Sequence, residues 1–182
     1  MKASVLITNY NNAKFIKECI DSLYSQKFKD IEIIFFDDNS SDNSIKIIEK
    51  FKKIKIIKNN IQTNFGSLNQ MNALKKSVEL STGDIIFFLD SDDFFHENKI
   101  SKIIDLFKKY KNKNIIFDFP ILLKNEKKII ENKSSNIFRT YWGYIHPTSC
   151  ISIRRSFIDK VFDKTLSKDY TNIWLDLRIL LF

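Results

Sequence analysis

Short apolar segments alternate with amphipathic segments along the first two thirds of the chain. Apolar runs at residues 3–7, 31–36, 54–57 and 84–89 have the length and hydrophobicity of strands buried on both faces. Between these runs, apolar residues recur every three to four positions, which indicates helices that bury one face each. This alternation predicts an α/β domain with a mostly parallel sheet and helices on both of its faces.

Helical spacing and turn residues define the remaining elements. The spacing predicts helices at residues 14–26, 44–51, 67–79 and 100–110. Beyond residue 110 the alternation weakens, and the sequence predicts strands at 115–119, 121–123 and 149–153, a polar hairpin or loop at 125–135, and helices at 156–161 and 172–182. A chain of 182 residues is expected to form a single domain over residues 1–182.

Composition excludes several classes of protein. The chain is 43% hydrophobic and contains 17 Phe, which supplies a packed core and excludes intrinsic disorder. The longest uncharged apolar run, residues 85–89, is far shorter than the roughly 20 residues of a membrane span. The N-terminus has no apolar signal-peptide core, so the protein is expected in the cytoplasm. Cys19 and Cys150 are isolated and are expected to be small core residues.

The net charge of +8 would attract nucleic acid, anionic lipid head groups or phosphorylated small molecules. Nearly all of the surplus is Lys, and the chain has four Arg. Proteins that read nucleic-acid grooves favour the guanidinium fork of Arg. Nucleic acid is therefore not the expected partner, and most of the lysines are expected to solvate helix faces.

Polar clusters follow three of the predicted strands. They are Thr-Asn-Tyr-Asn at 8–11, Asp-Asp-Asn-Ser at 37–40 and Asp-Ser-Asp-Asp at 90–93. In an open parallel sheet, ligands bind in the crevice beyond the carboxyl ends of the strands. The three clusters are therefore expected to line one cleft.

The cluster at 90–93 brings three carboxylates together within four positions. Their mutual repulsion is relieved by a divalent cation, and Mg²⁺ or Mn²⁺ binds one or two carboxylates together with water and phosphate oxygens. The alternative is an acidic turn that caps the helix beginning near Glu97. The acidic end of the strand before Asp38 favours the cation, because helix caps do not require a shared cleft.

The cluster at 37–40 suggests nucleotide binding. Asp38 can accept hydrogen bonds from a nucleobase or a ribose hydroxyl, whereas Asp37 is assigned to a structural role. Asn39 and Ser40 could instead cap the next helix. No glycine precedes Gly66, so the glycine-rich loops of dinucleotide and P-loop sites are absent. Phosphate would have to be neutralised by a metal ion and side chains.

These motifs, in this order, resemble the inverting family-2 glycosyltransferases, which have the GT-A nucleotide-sugar fold. The resemblance covers at least residues 4–93: an opening strand at 4–11, a base-recognition segment at 37–44, a helix entry at 64–72 and a metal motif at 83–93. Gln70 stands where a small residue is usual in the family. The family fold is Rossmann-like, in agreement with the α/β pattern.

The resemblance implies roles for individual residues. Asp38 would contact the base, Asp92 would bind the metal, and Asp90 would approach both the ribose and the metal, which would be Mg²⁺ or Mn²⁺. The donor-binding side chains would be Thr8, Tyr10, Asp38, Asn72 and Asp90.

The implied reaction also needs a carboxylate that removes the proton of the acceptor hydroxyl. Asp176 lies among large apolar residues, where desolvation would raise its pKa towards the range of a useful base. Asp169 is the second candidate. His146, before Pro147, is either a structural hydrogen-bond donor or a contact to the acceptor.

The sequence thus predicts a metal-dependent enzyme that moves a sugar from a nucleoside diphosphate donor, expected to be UDP-linked, to an acceptor hydroxyl in polysaccharide or glycoconjugate synthesis. Residues 1–119 would form the nucleotide-sugar-binding half and residues 120–182 the acceptor-side half, with truncation at the C-terminus left open. The acceptor would be a saccharide or a lipid-linked saccharide, with peripheral contact at the inner face of the membrane. The alternative is a noncatalytic module that binds a nucleotide sugar or nucleic acid, and a nucleotidyltransferase is disfavoured by the motif order.

Overall fold

The computed structural model describes residues 1–124, 127–129, 147–165 and 173–180. The strands in these residues are β1 (Ala3–Asn9), β2 (Ile31–Asp37), β3 (Ile54–Lys58), β4 (Ile85–Asp90), β5 (Ile115–Phe117), β6 (Leu122–Lys124), β7 (Lys127–Ile129) and β8 (Ile151–Arg154). Six of them form one sheet in the order β3-β2-β1-β4-β8-β5, and β6 pairs with β7. The first four strands of this order are parallel, whereas β8 is antiparallel to both of its neighbours.

Helices cover both faces of the sheet. They are α1 (Ala13–Tyr24), α2 (Ser44–Ile48), α3 (Gly66–Leu80), α4 (Lys99–Lys109), α5 (Arg155–Thr165) and α6 (Leu175–Leu180). Alternate residues of β1 point to opposite faces, so Val5 and Ile7 pack with α1, α2 and α4, whereas Leu6 packs with α3, α5 and α6. In the described part of the chain, no helix combines the length and the hydrophobicity needed to cross a membrane.

The predicted α/β class, with a mostly parallel sheet between helices, is confirmed. Strands β1, β2 and β4 extend one or two residues beyond the predicted apolar runs. The polar residues at their ends still pair with the neighbouring strand: Asp37 pairs with Asn9, and Asp90 with Thr8. Cys19 and Cys150 are buried and free, as expected. Burial raises the pKa of the Cys150 thiol to about 12, which keeps it protonated.

The predicted strand at 149–153 begins later than expected. Residues Thr148–Cys150 form a short 3-10 helix, closed by a hydrogen bond from the Cys150 amide to the Pro147 carbonyl at 2.7 Å. Since β8 runs antiparallel to β4, this turn lies beside the carboxyl end of β4. There the hydroxyl of Ser149 accepts a hydrogen bond of 3.0 Å from the backbone N–H of Asp90.

Candidate active site

A cleft of about 600 Å³ opens at the carboxyl ends of β1, β2 and β4. Its walls come from the ends of these strands and the residues that follow them, from α3, and from segments late in the chain. The strand ends and the residues after them contribute Thr8, Asn9, Tyr10, Asn12, Phe36, Asp38, Asp90 and Asp92; the loop after β3 contributes Gln62 and Thr63; α3 contributes Gly66, Asn69, Gln70 and Ala73; and the later segments contribute Pro147, Thr148, Trp174 and Asp176.

Strand register brings the polar residues together. Thr8 at the end of β1 is paired with Phe36 on one side and with Asp90 on the other. The three strands therefore end at the same level, and the residues that follow them share one edge of the sheet. As a result Asp38 and Asp92, which are more than 50 positions apart in the sequence, line the same cleft.

A buried polar network fixes the turn after β2. Asp37 Oδ1 accepts hydrogen bonds from Asn9 Nδ2 at 2.7 Å and from the Ser40 hydroxyl at 2.7 Å. Asn39 has a φ of 58°, in the left-handed region that Asn tolerates better than most residues. Asp37 thus anchors the turn, and the next residue, Asp38, reaches the cleft.

Two amide side chains hold the carboxylate of Asp38. Asn59 Nδ2 donates to Asp38 Oδ1 at 2.7 Å, and Gln62 Nε2 donates to Asp38 Oδ2 at 3.0 Å. Tyr10, with 53% of its surface exposed, lies on the same cleft and offers a flat ring. Neither Asn59 nor Gln62 is among the residues predicted from the sequence, although Asn59 follows β3 just as Asp38 follows β2.

Asp90 is the most strongly perturbed carboxyl group of the cleft. Its pKa is raised to about 6, mainly by burial and also by the negative charges of Asp93 and Asp92. Two hydrogen bonds oppose this shift, both to Oδ1: the Thr8 hydroxyl donates at 2.8 Å and Gln70 Nε2 at 3.3 Å. In the unliganded site, Asp90 therefore binds a proton at a higher pH than an ordinary Asp does.

The other two carboxylates of this cluster lie on the surface. Asp92 is exposed and lines the cleft. The pKa of Asp93 is raised by partial burial and by the charge of Asp92, while a hydrogen bond with Ser149 and the charge of Lys99 lower it. Lys99 itself forms an ion pair with Asp118 at 2.9 Å and donates to the Ser149 carbonyl at 2.6 Å.

The family model of glycosyl transferase family 2 matches residues 4–165. The chain belongs to this family. It is 33% identical over 179 residues to an uncharacterized glycosyltransferase of Nostoc sp., and 27% identical over 179 residues to the amylovoran biosynthesis glycosyltransferase AmsB of Erwinia amylovora. These alignments cover 89% and 88% of the chain but 53% and 58% of the two relatives, so the chain spans little more than half of their length.

Solved structures of glycosyltransferases share the fold. S. aureus TarS in complex with UDP superposes with a TM-score of 0.73 at 18% identity, over 98% of this chain and 54% of that one. The mannosyltransferase PcManGT of Pyrobaculum calidifontis, in complex with GDP-Man and Mn²⁺, superposes with a TM-score of 0.67 at 12% identity, over 93% of this chain and 50% of that one. The sheet and its helices therefore form the GT-A fold of this glycosyltransferase family.

The carboxylates of the cleft fit a divalent cation of the kind that the GT-A fold implies. Among the described residues, no group of three or more His, Cys, Asp or Glu side chains gathers as a complete metal cage. Asp90 and Asp92 both line the cleft, and Mg²⁺ or Mn²⁺ needs only one or two carboxylates when phosphate and water complete its shell. A cation beside Asp90 would also offset the like charges that raise its pKa.

Of the remaining predicted site residues, one lines the cleft, one does not, and two lie outside the described residues. Asp176 is half-buried in the first turn of α6 and lines the cleft. Asn72, in contrast to its predicted place, is exposed and does not belong to the lining of the cleft. Successive residues of an α-helix point about 100° apart, so neighbours in the sequence face different directions. In α3, Asn69 and Ala73 face the cleft, whereas Asn72 does not. Asp169 and His146 lie outside the described residues.

Proposed function

We propose that this chain carries the donor-binding and catalytic part of a glycosyltransferase that uses a nucleoside diphosphate sugar, with UDP as the nucleotide. The sugar would pass to an acceptor hydroxyl with inversion at the anomeric carbon. The observation that carries the proposal is the presence of Asp38 and Asp92 on one cleft. The volume of about 600 Å³ is within the usual range for ligand sites, and the related fold of TarS binds UDP.

The acidic side chains at the strand ends of the cleft have separate proposed tasks. Asp38, held by Asn59 and Gln62, would accept hydrogen bonds from the base, beside the ring of Tyr10. Asp90 would contact the ribose, and Asp90 and Asp92 would hold Mg²⁺ or Mn²⁺. The bound cation would supply positive charge to the departing diphosphate. The complex of PcManGT with GDP-Man and Mn²⁺ supports this choice of ion.

The acceptor side of the reaction needs a general base. Asp176 is proposed for this role, because it is a half-buried carboxylate on the wall of the same cleft. It would take the proton of the acceptor hydroxyl as that oxygen attacks the sugar from the face opposite to the diphosphate. Asp169 is the second candidate for the base.

The acceptor is proposed to be a saccharide or a lipid-linked saccharide in the synthesis of a polysaccharide or glycoconjugate. The resemblance to the amylovoran biosynthesis glycosyltransferase supports this setting. Exposed lysines on α2 and around β3, namely Lys46, Lys50, Lys52, Lys53 and Lys55, would suit peripheral contact with anionic lipid at the inner face of the membrane.

A panel of nucleotide sugars tests the proposed function. Release of nucleoside diphosphate would be measured with Mg²⁺, with Mn²⁺ and with EDTA, for the wild type and for Asp92→Asn. Turnover is expected with a UDP-sugar and a cation, and at least a 100-fold loss in Asp92→Asn. Asp105→Asn, on the exposed face of α4, is the matched control and should keep full activity. Equal metal-dependent turnover in Asp92→Asn would contradict the role of Asp92.

The same assay tests the alternative of a noncatalytic module that binds a nucleotide sugar. Such a module would bind UDP in the presence of Mn²⁺ by calorimetry but would release no sugar from any donor. Turnover of any nucleotide sugar would exclude it.

A further inference from the structure

Gln70 contacts the carboxylate of Asp90 from the wall of the cleft. Its Nε2 donates to Asp90 Oδ1 at 3.3 Å, and the Thr8 hydroxyl donates to the same oxygen at 2.8 Å. Among the described residues, the two side chains that donate to this carboxylate thus bind the same oxygen, Oδ1. This arrangement restricts rotation of the carboxylate and directs Oδ2 to other partners.

The other end of the Gln70 amide is unsatisfied. Its Oε1 is buried and has no hydrogen-bond partner among the described residues. Reversing the amide would bring Oε1, instead of the N–H group, against the Asp90 carboxylate, so the contact with Asp90 determines which way the amide points. A buried acceptor without a partner destabilises a fold, and such groups are rare in native proteins. Gln70 therefore has a feature that stability alone does not explain.

Gln26 shows what a glutamine with a structural role does in the same chain. It is fully buried, its Nε2 donates to the carbonyls of Ser22 and His96 at 3.0 Å each, and its Oε1 accepts from the Ile100 amide at 3.2 Å. Both ends of its amide are used, and it lies outside the cleft. Gln26 therefore serves as a control for Gln70: it is a glutamine of the same chain with a structural role and no contact with the cleft.

We propose that Gln70 is a positioning residue for donor binding. Together with Thr8 it holds Asp90 Oδ1, so that Oδ2 meets the nucleoside diphosphate and its cation. The inference rests on the proposed function and deepens it: Gln70 tunes the affinity for the diphosphate part of the donor, although its own Oε1 is left without a partner among the described residues.

The test compares Gln70→Met with Gln26→Met, because Met has a similar length and no hydrogen-bonding amide. UDP binding would be measured by calorimetry in the presence of Mn²⁺, and Tm without ligand. Gln70→Met is expected to weaken UDP binding about fivefold and to lower Tm less than Gln26→Met does, because the loss of the unsatisfied Oε1 offsets the loss of the donor to Asp90. Gln26→Met is expected to lower Tm and to leave the affinity unchanged. Gln70→Ala, which only removes atoms, provides a second variant with the same expected loss of affinity.

A double-mutant cycle with Thr8→Val tests whether Gln70 acts through Asp90. Because both donors hold the same oxygen, their effects on UDP affinity should be non-additive. Unchanged affinity in Gln70→Met and Gln70→Ala, additive effects in the cycle, or a fall in the Tm of Gln70→Met as large as that of Gln26→Met would overturn the inference alone. Absence of UDP binding in the wild type would overturn the proposed function and the inference with it.

Discussion

The hydroxyl of Thr8 donates a hydrogen bond of 2.8 Å to Asp90 Oδ1, and so joins two neighbouring strand ends that are 82 residues apart in the sequence. The two residues are also partners in the strand register. The contact stabilises the charged form of a carboxyl group that burial and its acidic neighbours would otherwise neutralise. The charge of Asp90 thus depends on the pairing of β1 with β4.

Asp90 is expected to make the unliganded protein less stable as pH rises. Its pKa is about 6 in the folded chain, whereas an unperturbed Asp carboxyl, as in an unfolded chain, has a pKa of 3.8. Between these values the folded state binds more protons, so the free energy of unfolding falls as pH increases through this window and stays reduced above pH 6. Asp90→Asn should therefore raise stability at pH 7.5 by ~1–3 kcal/mol.

The measurement is Tm in EDTA at pH 4, 5, 6 and 7.5. The advantage of Asp90→Asn over the wild type should grow across this series and nearly vanish at pH 4. The same substitution at exposed Asp105 serves as the control and should shift Tm little at any pH. A constant difference between wild type and Asp90→Asn would show that burial of Asp90 does not disfavour its charge.

Replacement of the proposed base should affect chemistry more than binding. Asp176→Asn is expected to lower kcat about 100-fold or more, since general-base catalysis contributes roughly 10²–10⁴, while KM for the donor changes less than threefold. Steady-state kinetics with a saturating acceptor provide the two constants. Asp163→Asn, on the exposed side of α5, is the control. Unchanged kcat in Asp176→Asn would move the assignment to Asp169.

The partners of Asp38 should matter for the nucleoside but not for the diphosphate. Asn59→Ala removes the donor that holds Asp38 Oδ1 at 2.7 Å, and is expected to weaken UDP binding about fivefold. Binding of pyrophosphate with Mn²⁺ should stay the same. Asn60→Ala changes the exposed neighbour and is the matched control. Equal weakening for UDP and pyrophosphate would contradict a contact between Asp38 and the base.

Gly83 is required by close packing at the opposite end of the sheet. A Cβ at this position would overlap the hydroxyl of Ser4 and lie 2.6 Å from the Ser4 backbone nitrogen, and Ser4 is fully buried. Gly83→Ala is expected to lower the free energy of unfolding by about 3 kcal/mol, measured with urea. In Gly66→Ala the added Cβ would contact Trp174 at 3.4 Å, and this variant should unfold near the wild-type midpoint. A similar midpoint for Gly83→Ala would show that β1 can shift to make room.

Much of the fold and the strand-end side of the cleft could be predicted because strand periodicity and strand ends are local signals. The apolar runs at residues 33–36 and 85–89 end directly before Asp37 and Asp90, and parallel pairing then places these strand ends on one edge. The same rule would have found Asn59 after β3, but the prediction applied it to the ends of β1, β2 and β4 and not to the end of β3. The placement of Asn72 in the cleft was wrong, because a sequence motif identifies a helix but not which of its side chains face the cleft. That depends on how α3 is rotated about its axis.

Apart from Asp176, the later part of the cleft had no local signal in the sequence. Pro147 and Thr148 reach it because β8 is inserted between β4 and β5, and this position depends on long-range pairing. Gln70 stood out in the sequence only as an unusually large residue. Its contact with Asp90 depends on the distance between α3 and β4, which no sequence pattern encodes.

The insertion of β8 between β4 and β5 also bears on how the chain is made. Among the described residues, β5 pairs only with β8 in the main sheet, so within this part of the chain its partner strand is absent until Ile151–Arg154 have been synthesised. The hydroxyl of Ser149, which meets the backbone of Asp90, arrives with the same segment. A nascent chain that ends before this segment lacks both the partner strand of β5 and the hydroxyl that meets the Asp90 amide, so this wall of the cleft is completed only after residue 154 has been synthesised.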